Sequence, residues 1–104
     1  MRVADFIIQY IHDELGVSHI FTVTGAGLMH LTDAIALNKN IVGVTPHHEQ
    51  TASMALEAYS RASENFGVGM FTTGPGSTNA ITGLSGAWQD SVPCLFIGGQ
   101  VKRS

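Results

Sequence analysis

The sequence has little of what marks secreted, membrane or nucleic-acid-binding proteins. Its 104 residues include one cysteine, which can form no intrachain disulfide, and Cys94 in its apolar run is most simply a small buried side chain. Only 12% of the residues are charged, the net charge is -3, and no run of Lys or Arg offers a surface for nucleic acid or membrane. No apolar run suits a signal peptide or a membrane span. We therefore expect a cytoplasmic protein without nucleic-acid or membrane partners.

What the chain does have is a regular alternation of helix and strand patterns with 44% hydrophobic residues. Apolar residues at helical spacing and short apolar runs between glycines predict both kinds of element. The predicted helices cover residues 3–15, 28–37, 52–62 and 77–89, and the predicted strands cover residues 19–23, 41–44, 68–72 and 94–97. This alternation is typical of the α/β class, as a doubly wound parallel sheet with helices on both faces.

The last of the four predicted strands is left without a helix after it. No helix pattern follows the strand at 94–97, so this strand should form an exposed sheet edge. We expect that residues 1–104 are the first part of a longer polypeptide, or that a partner covers the edge. Composition leaves both alternatives open.

Two loops after predicted strands indicate where a ligand would bind. Glu49 follows the second strand, and the Gly74-Pro75-Gly76 bend follows the third, about 25 residues further along the chain. Ligands of open α/β sheets bind at the carboxyl ends of the strands, where these loops should meet. We therefore predict a ligand-binding site where Glu49 lies beside the glycine bend.

A dinucleotide site is the first alternative. Gly25-Ala26-Gly27 follows a strand and opens a helix, but His30 stands where the third glycine of the fingerprint belongs. Glu49 comes several residues too late to serve as the ribose-binding acid. Neither glycine loop carries the Gly-Lys-Ser/Thr ending of a phosphate-binding P-loop. A dehydrogenase domain that binds NAD is a weaker hypothesis than a site built on Glu49.

Several ordered motifs resemble acetolactate synthase and its thiamine-diphosphate-dependent relatives. They span nearly the whole chain and comprise residues 16–21, 48–50, 58–62, 74–79, 90–93 and 99–101. The resemblance identifies residues 1–104 as the amino-terminal part of the pyrimidine-binding (Pyr) domain, here incomplete. It implies a thiamine-diphosphate-dependent carboligase or decarboxylase of 2-keto acids.

The resemblance also implies a role for individual residues. Glu49 would be the catalytic residue, because the family's glutamate hydrogen-bonds N1′ of the aminopyrimidine and favours the tautomer that removes the proton from C2. A carboxyl group can share a proton with a weakly basic ring nitrogen. The cofactor-binding residues would be Val23, Thr24, Gly25, Glu49, Thr73, Gly74, Pro75 and Asn79, and the substrate side would be formed by Ala26, Gly27 and Thr72.

Simpler roles exist for the same residues. Glu49 would also stabilise the start of a helix through the helix dipole, and Ser77 or Thr78 could cap the next helix. Thr24 stands where the family usually has proline and Thr22 where it usually has glycine. These departures predict a divergent relative whose substrate choice is open.

The remaining expectations concern parts outside the chain. The family holds Mg²⁺ and the diphosphate in a carboxy-terminal domain, and nothing in this sequence matches that segment. The resemblance implies a 2-keto acid substrate such as pyruvate, a neighbouring subunit that supplies the diphosphate-binding domain, and a homo-oligomer of at least two chains. A flavin (FAD) requirement is undetermined.

His47 and His48 are adjacent and lack the spacing of a zinc pair, so we predict no metal ligands here. A non-catalytic interaction module of the same fold is the third alternative.

Overall fold

The helix and strand patterns of the sequence correspond to nine regular elements in a computed structural model that describes residues 1–103. A short 3-10 turn, Ala26–Leu28, precedes the second helix. The elements in chain order are α1 (Val3–Asp13), β1 (His19–Val23), α2 (Met29–Leu37), β2 (Val42–Val44), α3 (Glu49–Ser63), β3 (Gly67–Phe71), α4 (Pro75–Asn79), α5 (Ile81–Gln89) and β4 (Cys94–Gly98).

The strands form one parallel sheet in the order β2-β1-β3-β4. Every residue of β3 is buried, because helices cover both faces of the sheet centre. The predicted α/β fold with a doubly wound parallel sheet is confirmed. β4 is an edge strand, as predicted, and its side chains are only partly buried.

Two apolar clusters lie on opposite faces of the sheet. The first packs α1 and α2 against the strands and includes Ile8, Ile20 and Val68, all of which have no exposed surface. The second packs α3 against the other face through Leu56 and Phe71. Complete burial of one such side chain stabilises a fold by about 1.5–3 kcal/mol, so both faces contribute to holding the helices in place.

The predicted helix over residues 77–89 is wrong in one respect. It is two helices, α4 and α5, and the first begins at Pro75 with Gly74 as its N-cap residue. Ser77 and Thr78 therefore do not cap it, and the Ser77 hydroxyl instead donates a hydrogen bond to the Thr72 carbonyl oxygen at 2.7 Å. β3 ends at Phe71, which leaves Thr72 in the following loop.

Exposed apolar residues are a further feature of the described chain. Trp88 is 86% exposed on α5 and is not part of the core. None of the helices in residues 1–103 has the length and apolar character needed to cross a membrane.

Candidate functional site

The candidate site lies where β1, β2 and β3 end. All three strands are parallel, so the loops that follow them meet at one end of the sheet. The predicted site residues lie here: residues 23–27 at the end of β1 and in the loop after it, Glu49 after β2, and residues 72–79 after β3.

Glu49 is the first residue of α3 and is half-buried. The preceding residue, His48, fixes the start of the helix, because its Nδ1 accepts a hydrogen bond from the Gln50 amide at 3.0 Å. This hydrogen bond also orients the loop that precedes Glu49. A carboxylate at this position also interacts favourably with the dipole of α3.

Asn79 connects Glu49 to the bend after β3. Its side-chain Nδ2 donates a hydrogen bond to Glu49 Oε2 at 3.2 Å. Asn79 is the last residue of α4, so the break between α4 and α5 lies directly after this contact. The two residues are far apart in sequence, and this bond sets the direction of the carboxyl group.

The Gly74-Pro75-Gly76 bend borders the other side of the carboxyl group. Gly74 has φ +60° and ψ -121°, a conformation that a side chain would strain, and Pro75 suits the first turn of a helix because its φ is already fixed. A Cβ atom placed on Gly76 would lie 3.6 Å from Glu49 Oε1. The bend and the acid are therefore neighbours, whereas the space beside Gly74 is open.

The segment of residues 23–27, hereafter the 23–27 loop, begins at the last residue of β1 and lies against Thr72 and Thr73, just before the bend. The Gly27 amide donates a hydrogen bond to Thr72 Oγ1 at 3.2 Å. Gly25 is so close to Thr72 that an added Cβ would lie 2.5 Å from Thr72 Cβ. Of the other loop residues, Thr24 and Ala26 are exposed and Val23 is partly buried at the end of β1.

Thr24 faces cavities that the sequence did not reveal. One cavity, of about 290 Å³, is lined by Thr22, Thr24, Thr32 and Thr45, among other residues. A second, of about 330 Å³, is lined by Thr24, Thr32 and parts of the loop and of α2. Thr32 could not be recognised from the sequence, because its place depends on how α2 is rotated against the sheet.

The close packing of the glycine loop argues against a dinucleotide site. The second glycine of such a fingerprint must leave room for a pyrophosphate, but an added Cβ on Gly27 would lie 2.5 Å from Thr73 Cγ2. His30 is exposed on α2 rather than packed at a close contact between helix and strand. The space near both loop glycines is occupied by threonine side chains.

Other polar groups lie apart from this arrangement. The exposed Arg2 binds Asp5 and Asp33 and joins α1 to α2, and its hydrogen bonds hold the pKa of Asp5 below the usual value. Cys94 is at the first residue of β4, the opposite end of the sheet, where burial raises the pKa of its thiol. Within residues 1–103, no three His, Cys, Asp or Glu side chains are grouped closely enough to hold a metal ion.

Comparison with known proteins matches the whole chain to one family. Residues 1–104 match the family described as thiamine pyrophosphate enzyme, N-terminal TPP binding domain. The acetolactate synthase large subunit of Buchnera aphidicola (subsp. Acyrthosiphon pisum, strain APS) is 38% identical over 101 residues, which is 97% of this chain and 18% of that protein.

Two further relatives come from other organisms. The acetolactate synthase large subunit of Lactococcus lactis is 44% identical over 88 residues, which is 85% of this chain and 15% of that protein. The chloroplastic acetolactate synthase of Arabidopsis thaliana is 38% identical over 100 residues, which is 96% of this chain and 15% of that protein. The chain thus spans less than a fifth of the length of these relatives.

Proposed function

Because the chain belongs to the thiamine pyrophosphate enzyme family, as its N-terminal TPP binding domain, we propose that Glu49 activates the aminopyrimidine of thiamine diphosphate in an acetolactate synthase-like enzyme. The observation that carries this proposal is the position of Glu49, which Asn79 holds against the Gly74-Pro75-Gly76 bend. Residues 1–104 then form the amino-terminal part of the pyrimidine-binding domain.

The residues at the bend fit a flat heteroaromatic ring. Within the described chain, Asn79 is the hydrogen-bond partner of the Glu49 carboxyl group, at Oε2, and this leaves Oε1 available to a ligand. Gly74 and Pro75 are exposed beside it, and the space next to Gly74 is open. A ring that lies along Gly74 and Pro75 could present a nitrogen atom to Oε1. Val23, Thr24, Gly25 and Thr73 are the further cofactor-binding residues.

Glu49 would hold and move a proton at that ring nitrogen. When bound, the cofactor would supply a nucleophilic carbon, C2, for reaction with the carbonyl group of a 2-keto acid. A carboxyl group can donate and accept a proton within one hydrogen bond, which a glutamine amide cannot do. The dipole of α3 stabilises the charged carboxylate as well, so a helix-stabilising role and a catalytic role coexist at Glu49.

The substrate side is formed by Ala26, Gly27 and Thr72. We propose a 2-keto acid such as pyruvate as the substrate, which loses CO₂ before its acyl unit passes to an acceptor. Support comes from the relatives, which are named acetolactate synthases. The Mg²⁺ ion and the diphosphate would be bound outside this chain.

A neighbouring subunit would complete the site, so the active form would be at least a homodimer. The small residues of α5 pack within this chain, where Gly83 lies against Ser53 of α3. The opposite side of α5 exposes Ile81, Leu84 and Trp88 at helical spacing. This apolar stripe supports a subunit contact on that side.

The test of the proposed function is Glu49→Gln in the complete polypeptide that contains this chain. The measured quantity is hydrogen-deuterium exchange at C2 of bound thiamine diphosphate, followed by rapid quenching and NMR. We expect the exchange to slow by about a hundredfold or more, since positioned acid-base groups contribute about 10²–10⁴ in rate.

Glu57→Gln is the matched control on the same helix, because the partly buried Glu57 carboxylate pairs with Arg61. It should leave C2 exchange near the wild-type rate. An unchanged rate in Glu49→Gln, with the cofactor bound, would refute the proposed role. Saturable binding of NAD at the 23–27 loop would favour a dehydrogenase domain, and partner binding without thiamine diphosphate would favour an interaction module.

A further inference from the structure

Thr72 forms hydrogen bonds with two segments of the candidate site, the 23–27 loop and the start of α4. Its side-chain Oγ1 accepts a hydrogen bond from the Gly27 amide at 3.2 Å. Its main-chain carbonyl oxygen accepts a hydrogen bond from the Ser77 hydroxyl at 2.7 Å. One residue therefore binds the 23–27 loop with its side chain and the first turn of α4 with its main chain.

The carbon atoms of Thr72 fill the space that two glycines leave. A Cβ on Gly76 would lie 2.5 Å from Thr72 Cγ2, and its next neighbours, Thr72 Cβ and Glu49 Oε1, are at 3.5 and 3.6 Å. A Cβ on Gly25 would lie 2.5 Å from both Thr72 Cβ and Thr72 Oγ1. The methyl group is thus the Thr72 atom nearest to Gly76, whereas Cβ, the hydroxyl group and the methyl group, at 2.6 Å, all border Gly25.

We propose that Thr72 is a positioning residue that fixes the substrate-side loop against the cofactor-side bend. The sequence placed Thr72 on the substrate side, but its hydroxyl oxygen already accepts the Gly27 amide. Thr72 therefore acts through Gly27 and Gly76. The terms substrate side and cofactor side rest on the proposed function, whereas the contacts do not.

Two substitutions separate the hydroxyl group from the methyl group. Thr72→Val keeps the shape but removes the acceptor, so the partly buried Gly27 amide loses its partner. Thr72→Ser keeps the acceptor and removes Cγ2. In the complete polypeptide without cofactor, Thr72→Val should raise amide hydrogen exchange at Gly27 about tenfold, and Thr72→Ser should change it less than about twofold.

The same two substitutions should affect KM and kcat of the holoenzyme differently. We expect Thr72→Val to raise KM for the 2-keto acid about tenfold with a smaller change in kcat, because the loop is loosened while the bend keeps its contacts. Thr72→Ser should restore KM to near the wild-type value. Equal effects of Val and Ser on Gly27 exchange would overturn the role of the hydroxyl group.

The role of the Thr72 methyl group is tested by adding a methyl group at Gly76 and removing the one at Thr72. Gly76→Ala should lower the melting temperature and slow C2 exchange, because the new Cβ meets Thr72 Cγ2. Adding Thr72→Ser removes that atom, and both properties should recover to the level of Thr72→Ser alone. If Gly76→Ala does not fold and the double variant does, the result supports the proposal.

Gly25→Ala is the matched control, since two of its three obstructing atoms, Thr72 Cβ and Oγ1 at 2.5 Å, remain in serine. Thr72→Ser should rescue Gly76→Ala and leave Gly25→Ala impaired. Rescue of both or of neither would contradict the proposal. Amide exchange and melting need no cofactor, so they decide the role of Thr72 even if Glu49→Gln leaves C2 exchange unchanged and the proposed function fails.

Discussion

At the scale of single residues, the candidate site depends on a carboxyl group whose direction is set by one amide. Glu49 belongs to α3 and Asn79 to α4, so the hydrogen bond between them joins these two helices at the carboxyl end of the sheet. A hydrogen bond to a charged group contributes about 1.5–3 kcal/mol where it is well formed, and less where water competes.

We expect Asn79→Ala to slow C2 exchange about three- to tenfold, a smaller effect than that of Glu49→Gln, because the acid remains and only its direction is lost. The measurement is the same exchange experiment with saturating cofactor. Thr78→Ala is the neighbouring control, since the exposed Thr78 hydroxyl donates only to the Pro75 carbonyl within α4. If both alanine variants slow exchange equally, general weakening of α4 is the better explanation.

Sequence reasoning could bring Glu49 and the bend together but could not find the contacts between them. Parallel strands end at the same end of a sheet, so the loops had to be close. The bond from Gly27 to Thr72 depends on where β3 ends, and the prediction extended that strand by one residue, through Thr72. Thr32 was missed because a helix pattern gives the buried face of α2 only approximately.

At the scale of elements, the division between α4 and α5 is the feature that the sequence pattern did not predict. The apolar pattern continues across Ala80, whose ψ of -8° departs from that of a regular helix. The Ala80 amide bonds to the Ser77 carbonyl oxygen, a tighter turn than that of an α-helix. This break allows Asn79 to face Glu49 while α5 packs its small residues against α3.

The close packing of α5 on α3 gives a prediction with an internal control. A Cβ on Gly83 would lie 2.5 Å from the main-chain carbon of Ser53, whereas a Cβ on Gly86 would meet nothing within 4 Å. Gly83→Ala should therefore destabilise the fold by about 1–3 kcal/mol through overpacking. Gly86→Ala should stabilise it by about 0.5–1 kcal/mol, since alanine is the better helix former.

Urea unfolding of the two variants measures this difference. The midpoints should move in opposite directions from that of the wild-type protein, with little change in the slope m. Midpoints that rise in both variants would mean that α3 can move away from α5 at no cost, and that Gly83 is not needed for the contact.

At the scale of the whole molecule, the two faces of the sheet are not covered to the same extent. α1 and α2 bury one cluster, but a groove of about 220 Å³ remains beside β4, lined by apolar side chains of α1, Leu15 and the edge strand. The alternation of elements predicted both the sheet and its open edge. It could not predict the groove, because this depends on how far α1 lies from β4.

The groove gives the last prediction, for the 104-residue chain studied by itself. Phe6 and Tyr10 line it and are 57% and 49% exposed, so an apolar dye such as anilinonaphthalene sulfonate should bind there with enhanced fluorescence. Replacing both residues with glutamine should lower the dye signal several-fold while the far-ultraviolet circular dichroism is kept. Val3→Gln is the control, because Val3 is 76% exposed on α1 and does not line the groove.

The relatives are much longer chains, and a complete polypeptide that covers the groove should bind less dye per molecule than the isolated chain. Equal dye binding by the double variant and the wild-type chain would place the accessible apolar surface elsewhere, and the exposed stripe of α5 would then be the next surface to test by Trp88→Gln.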